Sequence, residues 1–545
     1  MSRTILILGA GVMQLPSIRA ARRLGLHVIV ADANTQAVGI SEADEYLPVD
    51  LKDERAMADA ARAIKERRGL HAVFTAGTDF SATVAYVVEQ LQLPGTRHEA
   101  ALNATDKFRM RGVLREAGVN VPDFAVLSRR QIEETGCAEA TGSVSLPVVV
   151  KPVDSMGARG VVRADRWDEA ERYAREAVAF SRSGRIVVEQ YIDGPEFSLD
   201  AVVYGDDIQI TGFADRHIRF PPYFIEVGHT IPTAIGTEEQ NLVVGEFRKA
   251  VRALGIGPGA AKGDVKLSGR RAVIGEVAAR LSGGYMSGWT YPLSSGVPLS
   301  EIGIRVALGE VPPRAHPRWE RTSAERAVIS IPGVLRDVRG VDAVRSADGV
   351  EELFIARSPG EQLTFPRNNV EKVGNVIAVA DGRDEAIAAA ESAVRLLEAV
   401  LEPDNRETDH FLFADAETAG DRDGDVPVEY RNWAYSGLSR FAVNGDLMRT
   451  WRVLRSQRRG TLEVELPEVV AESAERDWAY RSIGETVETL AGDRLLRFRV
   501  VRDRAPRNDV SRLVTRALLK GGLQGVRYVR DTLEHLSTLN YTPDS

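Results

Sequence analysis

The first 95 residues alternate short apolar strands with helical stretches, and this alternation limits the possible folds more than any other feature of the sequence. The pattern predicts strands at 4–8, 27–31 and 71–76 and helices near 15–24 and 80–91. Strands that alternate with helices form a parallel sheet with right-handed crossovers. We therefore predict a small doubly wound α/β domain over residues 1–95.

Residues 96–310 follow a different pattern, in which most strands are joined by tight turns. Strands are predicted at 146–151, 186–192, 196–204, 208–214 and on both sides of a turn at 268–271. Gly194-Pro195 is a turn signal between two of these strands. This region is therefore expected to contain an antiparallel sheet with interspersed helices, which is an α+β arrangement.

The rest of the chain is predicted to add two smaller α+β units, so the whole protein combines α/β and α+β domains. Residues 325–403 form a compact unit with a long helix at 383–401, and residues 427–545 form an extension in which no motif indicates chemistry. The polar, acidic stretch 402–426 is interpreted as a linker, because it offers few apolar side chains for burial.

Composition argues against several classes of protein. No apolar run in the 545 residues approaches the length of a membrane span, and the single cysteine, Cys137, cannot form an internal disulfide. The formal net charge of -8 argues against a general nucleic-acid surface. We therefore expect a cytoplasmic protein with no membrane or nucleic-acid partner.

A glycine turn, Gly9-Ala10-Gly11, follows the opening strand and would let the backbone approach a ligand closely. A dinucleotide fingerprint requires a third glycine at position 14, where this chain has Gln14, although Asp32 ends the second strand as a ribose-binding acid would. A substrate-facing turn, a structural turn and a dinucleotide site therefore stay open as interpretations.

Two lysines and a glycine-containing loop form a stronger pattern. Lys107 follows Asp106, and Lys151 ends a buried strand directly before the loop Ser155-Met156-Gly157-Ala158-Arg159-Gly160. Backbone donors of such a loop can surround phosphates while ammonium groups neutralise them, with Gly157 and Gly160 providing mobility. The alternative is two surface lysines beside an ordinary hairpin turn.

A strand with mixed polarity, Glu189-Gln190-Tyr191-Ile192, could accept an adenine ring along its edge. Glu196 follows the next turn, and its carboxylate could bind the two hydroxyl groups of a ribose. A strand-end glutamate in solvent is the competing interpretation for Glu196.

Two acids are predicted to face each other across a hairpin. If the loop consists of the three residues Gly269, Arg270 and Arg271, Asp264 pairs with Glu276. Facing carboxylates repel unless a cation lies between them, and hard oxygen ligands suit Mg²⁺. An ordinary charged hairpin in solvent is the alternative.

Taken in their order along the chain, the two lysines, the glycine loop, the mixed-polarity strand and the facing acids resemble the ATP-grasp superfamily over residues 1–310. The resemblance implies that Lys107, Lys151 and the loop from Ser155 to Gly160 bind ATP phosphates. It also implies that Glu189 to Ile192 hold adenine through their main chain, and that Asp264 and Glu276 bind Mg²⁺ or Mn²⁺.

The chain departs from the commonest family pattern, Glu-x-Asn-x-Arg, because Ala278 stands between Glu276 and Arg280. This change resembles the amino-acid ligases, in which an Ala-Ala-Arg run precedes a Gly-Gly pair. The segments from Pro332 to Val376 also resemble the small C-terminal domain of that subgroup.

The resemblance implies an ADP-forming carboxylate-amine ligase, with an amino acid as a substrate and an acyl phosphate as the intermediate. Arg280 and Lys262 are the expected catalytic residues, and the weaker substrate candidates are Glu226, His229, Gly283 and Gly284. Small-molecule acids and amines are the expected partners, and a homodimer is compatible with the sequence. Another ATP-grasp ligase or carboxylase, a non-catalytic nucleotide-binding protein and a dinucleotide-dependent oxidoreductase are the alternatives.

Overall fold

The computed structural model describes residues 2–414, 428–442, 446–456, 461–502, 506 and 508–539. It divides into two compact units, the first formed by 1–218, 228–324 and 379–386 and the second by 219–227, 325–378 and 387–545. Within the described ranges, no helix is both long and apolar enough to cross a membrane.

The N-terminal part of the first unit is the predicted parallel α/β sheet, with strand order β3-β2-β1-β4. Its elements are β1 (Thr4–Leu8), α1 (Leu15–Arg23), β2 (His27–Ala31), β3 (Glu45–Leu47), α2 (Glu54–Arg68), β4 (Ala72–Phe74) and α3 (Ser81–Gln90). The side chain of Gln14 occupies the turn where a dinucleotide fingerprint would have glycine, and it donates to the Ala76 carbonyl at 2.6 Å. Both Asp32 oxygens accept backbone amides, those of Ala10 and Asn34, so Asp32 stabilises the turn.

A four-stranded antiparallel sheet follows, in the order β5-β8-β6-β7. Its region contains α4 (His98–Thr105), α5 (Lys107–Glu116), β5 (Phe124–Ser128), α6 (Arg129–Thr135), α7 (Cys137–Thr141), β6 (Val148–Pro152), β7 (Val162–Ala164), α8 (Trp167–Phe180) and β8 (Arg185–Gln190). Asp106 caps α5 by accepting the amides of Phe108 and Arg109. The cap makes Lys107 the first helical residue and places Arg111 one turn later on the same face.

The remaining strands of the first unit lie in the order β13-β12-β9-β10-β11. The elements are β9 (Glu196–Tyr204), β10 (Asp207–Arg219), β11 (Ile225–Ile231), α9 (Thr237–Leu254), β12 (Gly259–Ser268), β13 (Arg271–Ala278), α10 (Tyr291–Ser295) and α11 (Leu299–Ala307). A π-helical turn at Met286–Thr290 precedes α10.

The hairpin β12–β13 confirms the predicted pairing of Asp264 with Glu276, but by a different route. Ser268 pairs with Arg271, so the loop has two residues, Gly269 and Arg270, and the predicted three-residue loop is wrong. A β-bulge between Asp264 and Val265 adds one residue on the opposite strand and restores the register.

The second unit contains the predicted small C-terminal domain and the described part of the extension. Its elements are β14 (Thr322–Val328), β15 (Gly333–Arg339), α12 (Val341–Arg345), β16 (Val350–Ile355), β17 (Gln362–Leu363), β18 (Gly374–Ala380), α13 (Arg383–Leu396), β19 (Glu398–Leu401), α14 (Arg406–Phe413), α15 (Leu447–Arg455), β20 (Leu462–Pro467), α16 (Glu468–Ala471), α17 (Ile483–Leu490), β21 (Leu496–Val501) and α18 (Asp509–Leu539). The strand β14 and the helix α13 begin in the first unit, and the strand β18 ends there.

One hydrophobic core runs through residues 327–401 and residues 411–529 of the second unit. The helix α14 contributes Phe411 and Phe413, both only 1% exposed. The predicted linker over 402–426 is therefore wrong for residues 406–413, whereas 415–426 lie outside the described residues. Asn405 caps α14 by accepting the amides of Glu407 and Thr408, and this cap fixes the start of the helix.

Candidate active site

Lys107 and Lys151, the two lysines predicted to bind phosphate, are both buried, each 7% exposed. Lys107 Nζ donates to the Ser155 carbonyl oxygen at 2.7 Å and lies 3.8 Å from Glu276 Oε1. The first helical residue of α5 thus contacts both the glycine loop and the acid of the hairpin. The structure therefore brings together three of the predicted site elements around one ammonium group.

The side chain of Glu189 lies buried between two cations. Its Oε1 pairs with Lys151 Nζ, and its Oε2 accepts Arg111 Nε at 3.1 Å and Nη2 at 2.9 Å. Burial raises the pKa of Glu189, but the Arg111 and Lys151 charges outweigh it and keep the pKa below its ordinary value. Burial lowers the pKa of Lys151 to about 8, although Glu189 opposes the shift. The Glu189 carboxylate therefore positions Lys151, a role that the sequence interpretation did not include.

The glycine loop after β6 adopts the left-handed backbone conformation at three residues, Gly157, Ala158 and Gly160, with φ of 68°, 61° and 71°. A Cβ on Gly160 would lie 3.0 Å from atoms of both Pro152 and Phe180. Only glycine fits position 160 without displacement, since a side chain there would be strained as well as crowded. The loop therefore turns tightly, and this backbone conformation suits the phosphate-binding role that is predicted for it.

The predicted adenine segment continues β8. The Gln190 amide donates to the Asp123 carbonyl at 2.8 Å and the Tyr191 amide to the Pro147 carbonyl at 2.9 Å, so neither amide can bind a base. The Ile192 carbonyl accepts Lys266 Nζ at 3.0 Å. Main-chain recognition of adenine by this segment remains a prediction, and it would have to use other groups than these two amides.

Arg216 of β10 joins two of the predicted site acids, and the sequence interpretation missed it. Its Nη1 pairs with Glu196 Oε1 and lies 3.0 Å from Asp264 Oδ2, while Lys266 Nζ lies 3.7 Å from Glu196 Oε2. Glu196 is therefore held by cations and is not the solvent-exposed glutamate of the competing interpretation. Arg216 is one of two arginines in the 13-residue strand β10, and no motif marks it.

The facing acids Asp264 and Glu276 were predicted to bind Mg²⁺, and their metal binding remains a prediction. Asp264 Oδ2 pairs with Lys262, whereas Asp264 Oδ1 is buried and has no hydrogen-bond partner among the described residues. Burial raises the pKa of Glu276, but nearby cations, above all Lys107 and Lys262, lower it to about 2. Glu276 is therefore charged at neutral pH, and the carboxyl groups of both residues can offer hard oxygen ligands.

The predicted metal site has two acids as its protein ligands, Asp264 and Glu276. In the described part of the chain, no cluster of three or more His, Cys, Asp or Glu residues could hold a metal ion. A two-acid site suits Mg²⁺, which keeps several of its coordination positions for water and substrate phosphates.

Arg280 is bound to backbone carbonyls at the edge of the site. Its Nε donates to the Thr78 carbonyl at 2.7 Å and its Nη1 to the Leu281 carbonyl at 3.0 Å. Next to it, a Cβ on Gly283 would lie 3.2 Å from the Gly77 Cα. Arg280 and Gly283 thus attach the loop after β13 to the N-terminal sheet domain, and Gly284, with φ of 59°, continues the turn.

The two remaining substrate candidates, His229 and Glu226, make other hydrogen bonds. His229 is fully buried, and its Nε2 shares a hydrogen bond of 2.8 Å with Thr290 Oγ1, which favours a structural role. Glu226 belongs to the second compact unit, where its amide donates to Asn369 Oδ1 at 2.8 Å and its carbonyl accepts Lys372 Nζ at 3.1 Å. Substrate contact by Glu226 remains a prediction.

Asp200 is a buried acid that the sequence interpretation did not identify. Its Oδ1 accepts the Ser282 amide at 2.9 Å and its Oδ2 accepts the Ser282 hydroxyl, so it holds the same loop that Arg280 attaches. Burial raises the pKa of Asp200 to about 7. The loop that follows β13 is therefore fixed by a carboxyl that titrates near neutral pH.

Replacing Asp200 with asparagine should remove a pH-dependent part of the stability. The folded protein keeps a proton on Asp200 that the unfolded chain releases above pH 3.8, so Asp200 makes the wild type less stable as pH rises toward 7. The free energy of unfolding of Asp200→Asn relative to wild type should increase by about 2 kcal/mol between pH 5 and pH 7. Urea denaturation of both proteins at each pH would measure this difference, and a constant difference would contradict the assignment.

Comparison with protein families assigns three segments of the chain. Residues 18–95 match the ATP-grasp N-terminal domain, residues 104–284 the ATP-grasp domain and residues 327–402 the L-amino acid ligase C-terminal domain 2. The second segment contains all the residues that were predicted to bind phosphate, adenine and metal.

Curated proteins that are similar to this chain include one from a bacterium and one from a bird. A protein of Sinorhizobium fredii described as uncharacterized is 28% identical over 393 residues, covering 71% of this chain and 80% of that protein. Carnosine synthase 1 of Gallus gallus is 25% identical over 344 residues, covering 58% of this chain but only 37% of the synthase.

A solved structure shares the fold of most of the chain. The L-amino acid ligase from Bacillus licheniformis superposes with a TM-score of 0.64 at 23% identity, covering 74% of this chain and 99% of the ligase. At this identity the match establishes a common fold, and it leaves about a quarter of this chain without a counterpart in that structure.

Proposed function

Because the chain is an ATP-grasp enzyme of the ADP-forming carboxylate-amine ligase type, we propose that it joins an amino acid to a second small molecule through an amide or peptide bond. In this proposal the carboxylate is activated by ATP as an acyl phosphate, and an amine then displaces the phosphate. ADP and phosphate are the other products. A homodimer and a cytoplasmic location remain predictions.

The observation that carries the proposal is the charge pattern around Glu276. Two acids on facing strands are surrounded by cations from separate elements, Lys107 from α5, Lys262 from β12 and Arg280 from the end of β13. A polyphosphate needs cations, and a metal that accompanies it needs oxygen ligands. Only a ligand that brings both charges at once, such as a metal-nucleotide complex, uses this whole arrangement.

Asp264 and Glu276 are the residues that would hold Mg²⁺ or Mn²⁺. When bound, the metal would neutralise charge on the phosphate oxygens. Lys107 and Lys151 would orient and neutralise the phosphates, because the Lys107 ammonium group contacts the glycine loop at Ser155 and Lys151 lies in the strand that leads into this loop. Fixed positive charges that face the developing negative charge lower the barrier to phosphoryl transfer without reorganisation.

The acyl phosphate must be protected from water, and the glycine loop with its sheet β5-β8-β6-β7 is suited to that task. Arg159 of the loop lies 3.5 Å from Asp79 of the N-terminal domain, so the loop contacts that domain in this structure. Arg280 would stabilise the acyl oxygen or the phosphate during attack by the amine. Its Nε and Nη1 bind carbonyls of fixed loops, which holds the guanidinium in place for that role.

An amino acid is the favoured substrate because residues 327–402 match a domain of L-amino acid ligases. Ala278 supports the same subgroup, since an alanine cannot ligate a metal as the asparagine of the commonest family pattern would.

Purified protein supplied with Mg-ATP and pairs of L-amino acids should release ADP and phosphate in equal amounts. Hydroxylamine in place of the amine should trap the acyl phosphate as a hydroxamate, which identifies the activated acid. Release of AMP and pyrophosphate would contradict the proposal, and turnover that depends on bicarbonate would favour a carboxylase instead.

A further inference from the structure

Arg111 of α5 is a fully buried guanidinium that contacts two parts of the site at once. It donates twice to Glu189 Oε2 of β8, and its Nη2 also donates to the Gly275 carbonyl of β13 at 2.7 Å. Its side chain is 0% exposed, and within the described chain its Nη1 has no hydrogen-bond partner. A planar guanidinium can bind two acceptors in fixed directions, which a lysine ammonium cannot reproduce.

Gly275 is the residue that the β-bulge adds to β13. Val265 pairs with Ile274 and Asp264 pairs with Glu276, so Gly275 has no partner residue between them. Without the bulge, Asp264 would pair with Gly275 and Glu276 would point to the opposite face of the sheet. The bulge therefore places Glu276 opposite Asp264. Arg111 binds the carbonyl of the bulge residue, Gly275.

Arg111 also binds the carboxylate of Glu189, which in turn pairs with Lys151. Glu189 pairs with Lys151 through Oε1 and with Arg111 through Oε2, so the three side chains form one buried chain with two positive charges and one negative charge. Removing Arg111 would leave Glu189 free to rotate about its pair with Lys151. The ammonium group would then lose a fixed direction toward the glycine loop.

We propose that Arg111 is a positioning residue that fixes the phosphate-binding Lys151 and the acid pair Asp264–Glu276 in one geometry. This inference rests on the proposed function, since it assigns Arg111 to the binding of a metal-nucleotide complex. Because its side chain is fully buried, Arg111 itself would contact neither the nucleotide nor the substrates. It acts through Glu189 on one side of the site and through Gly275 on the other.

The test compares Arg111→Lys and Arg111→Met with wild type in Mg-ADP binding by titration calorimetry. Both variants should bind Mg-ADP about 10–100-fold more weakly. This range is typical of residues that do not contact the metal but orient the side chains that bind it. Arg109→Met is the matched control, because Arg109 lies on the same helix and is exposed. Its affinity should stay within twofold of wild type.

A pH series separates positioning from general structural support. The groups around Lys151 are Glu189, Arg111, Lys107 and, more distantly, Glu276. Burial, Arg111 and Lys107 lower the pKa of Lys151 to about 8, so wild-type affinity for Mg-ADP should fall as pH rises above about 8. Arg111→Met removes one of the lowering charges, so its fall should begin at higher pH, whereas Arg111→Lys should keep the wild-type midpoint.

Unchanged affinity in both variants, or an unchanged midpoint in Arg111→Met, would overturn the inference and leave the proposed function intact. Failure of the wild type to bind Mg-ADP would overturn the proposed function itself. If Arg111→Met does not fold, Arg111→Lys decides, because it keeps the charge and loses only the paired geometry. A lower melting temperature without weaker binding counts as refutation.

Discussion

Replacing Glu276 with glutamine should lower ATP-dependent turnover about a thousandfold. The change keeps the size of the side chain but removes the negative charge that lies 3.8 Å from Lys107 and opposite Asp264. Loss of a metal ligand forfeits several kcal/mol of charge stabilisation, and 1.36 kcal/mol corresponds to a factor of ten in rate. Release of ADP at saturating Mg²⁺, followed with a coupled assay, would measure the effect.

The fold should survive this change, because the hairpin is held by its backbone ladder from Lys262–Ala278 to Ser268–Arg271. Glu238→Gln is a suitable control, since Glu238 pairs with Arg270 in solvent beside the turn of the same hairpin. The control should retain wild-type turnover. Full activity of Glu276→Gln with an unchanged requirement for Mg²⁺ would refute the metal assignment.

Replacing Glu189 with alanine should lower the free energy of unfolding by about 3–5 kcal/mol, the usual cost of removing one partner from a buried ion pair. Arg111 and Lys151 would then be buried without the carboxylate that both contact. Urea denaturation near neutral pH would measure the loss.

Glu134→Ala provides the matched control for this second change. Glu134 pairs with Arg130 on an exposed helix of the same region, and pairs of that kind contribute about 1 kcal/mol or less. Combining Glu189→Ala with Arg111→Met should recover part of the stability, because one uncompensated cation disappears. A loss below 1 kcal/mol for Glu189→Ala alone would contradict the assigned network.

The sequence was sufficient for the parallel N-terminal sheet, the ATP-grasp assignment and the pairing of Asp264 with Glu276. In the last case the prediction combined a wrong loop length with a correct register, because it did not include the bulge at Gly275. At this bulge the Gly275 carbonyl accepts a hydrogen bond from another element, through Arg111. Hairpin rules that consider only the two strands cannot predict it.

Two of the residues that were missed, Arg111 and Asp200, have partners that are distant in sequence. Arg111 is 78 residues from Glu189 and 164 from Gly275, and Asp200 is 82 from Ser282. A single charged residue in a helix or strand is normally on the surface, so motif reasoning passes over it. The position of Arg111 four residues after Lys107, on the same helical face, was the available signal.

The predicted linker failed for a related reason. Overall polarity over 402–426 concealed the short apolar run of α14, whose phenylalanines are buried in the second unit. The cap residue Asn405, followed by the apolar residues Phe411 and Phe413, would have indicated the start of a helix with apolar side chains to bury. Averaging composition across 25 residues removed that information.

The core shared by residues between 327 and 401 and by described residues between 411 and 529 makes the two parts depend on each other for stability. The rings of Trp451 and Phe413 are tilted, with their centroids 5.2 Å apart, in a core to which Leu335 and Leu401 also belong. Separating the two parts would expose apolar side chains of both to water. A change of side-chain volume in one part therefore alters the packing of the other.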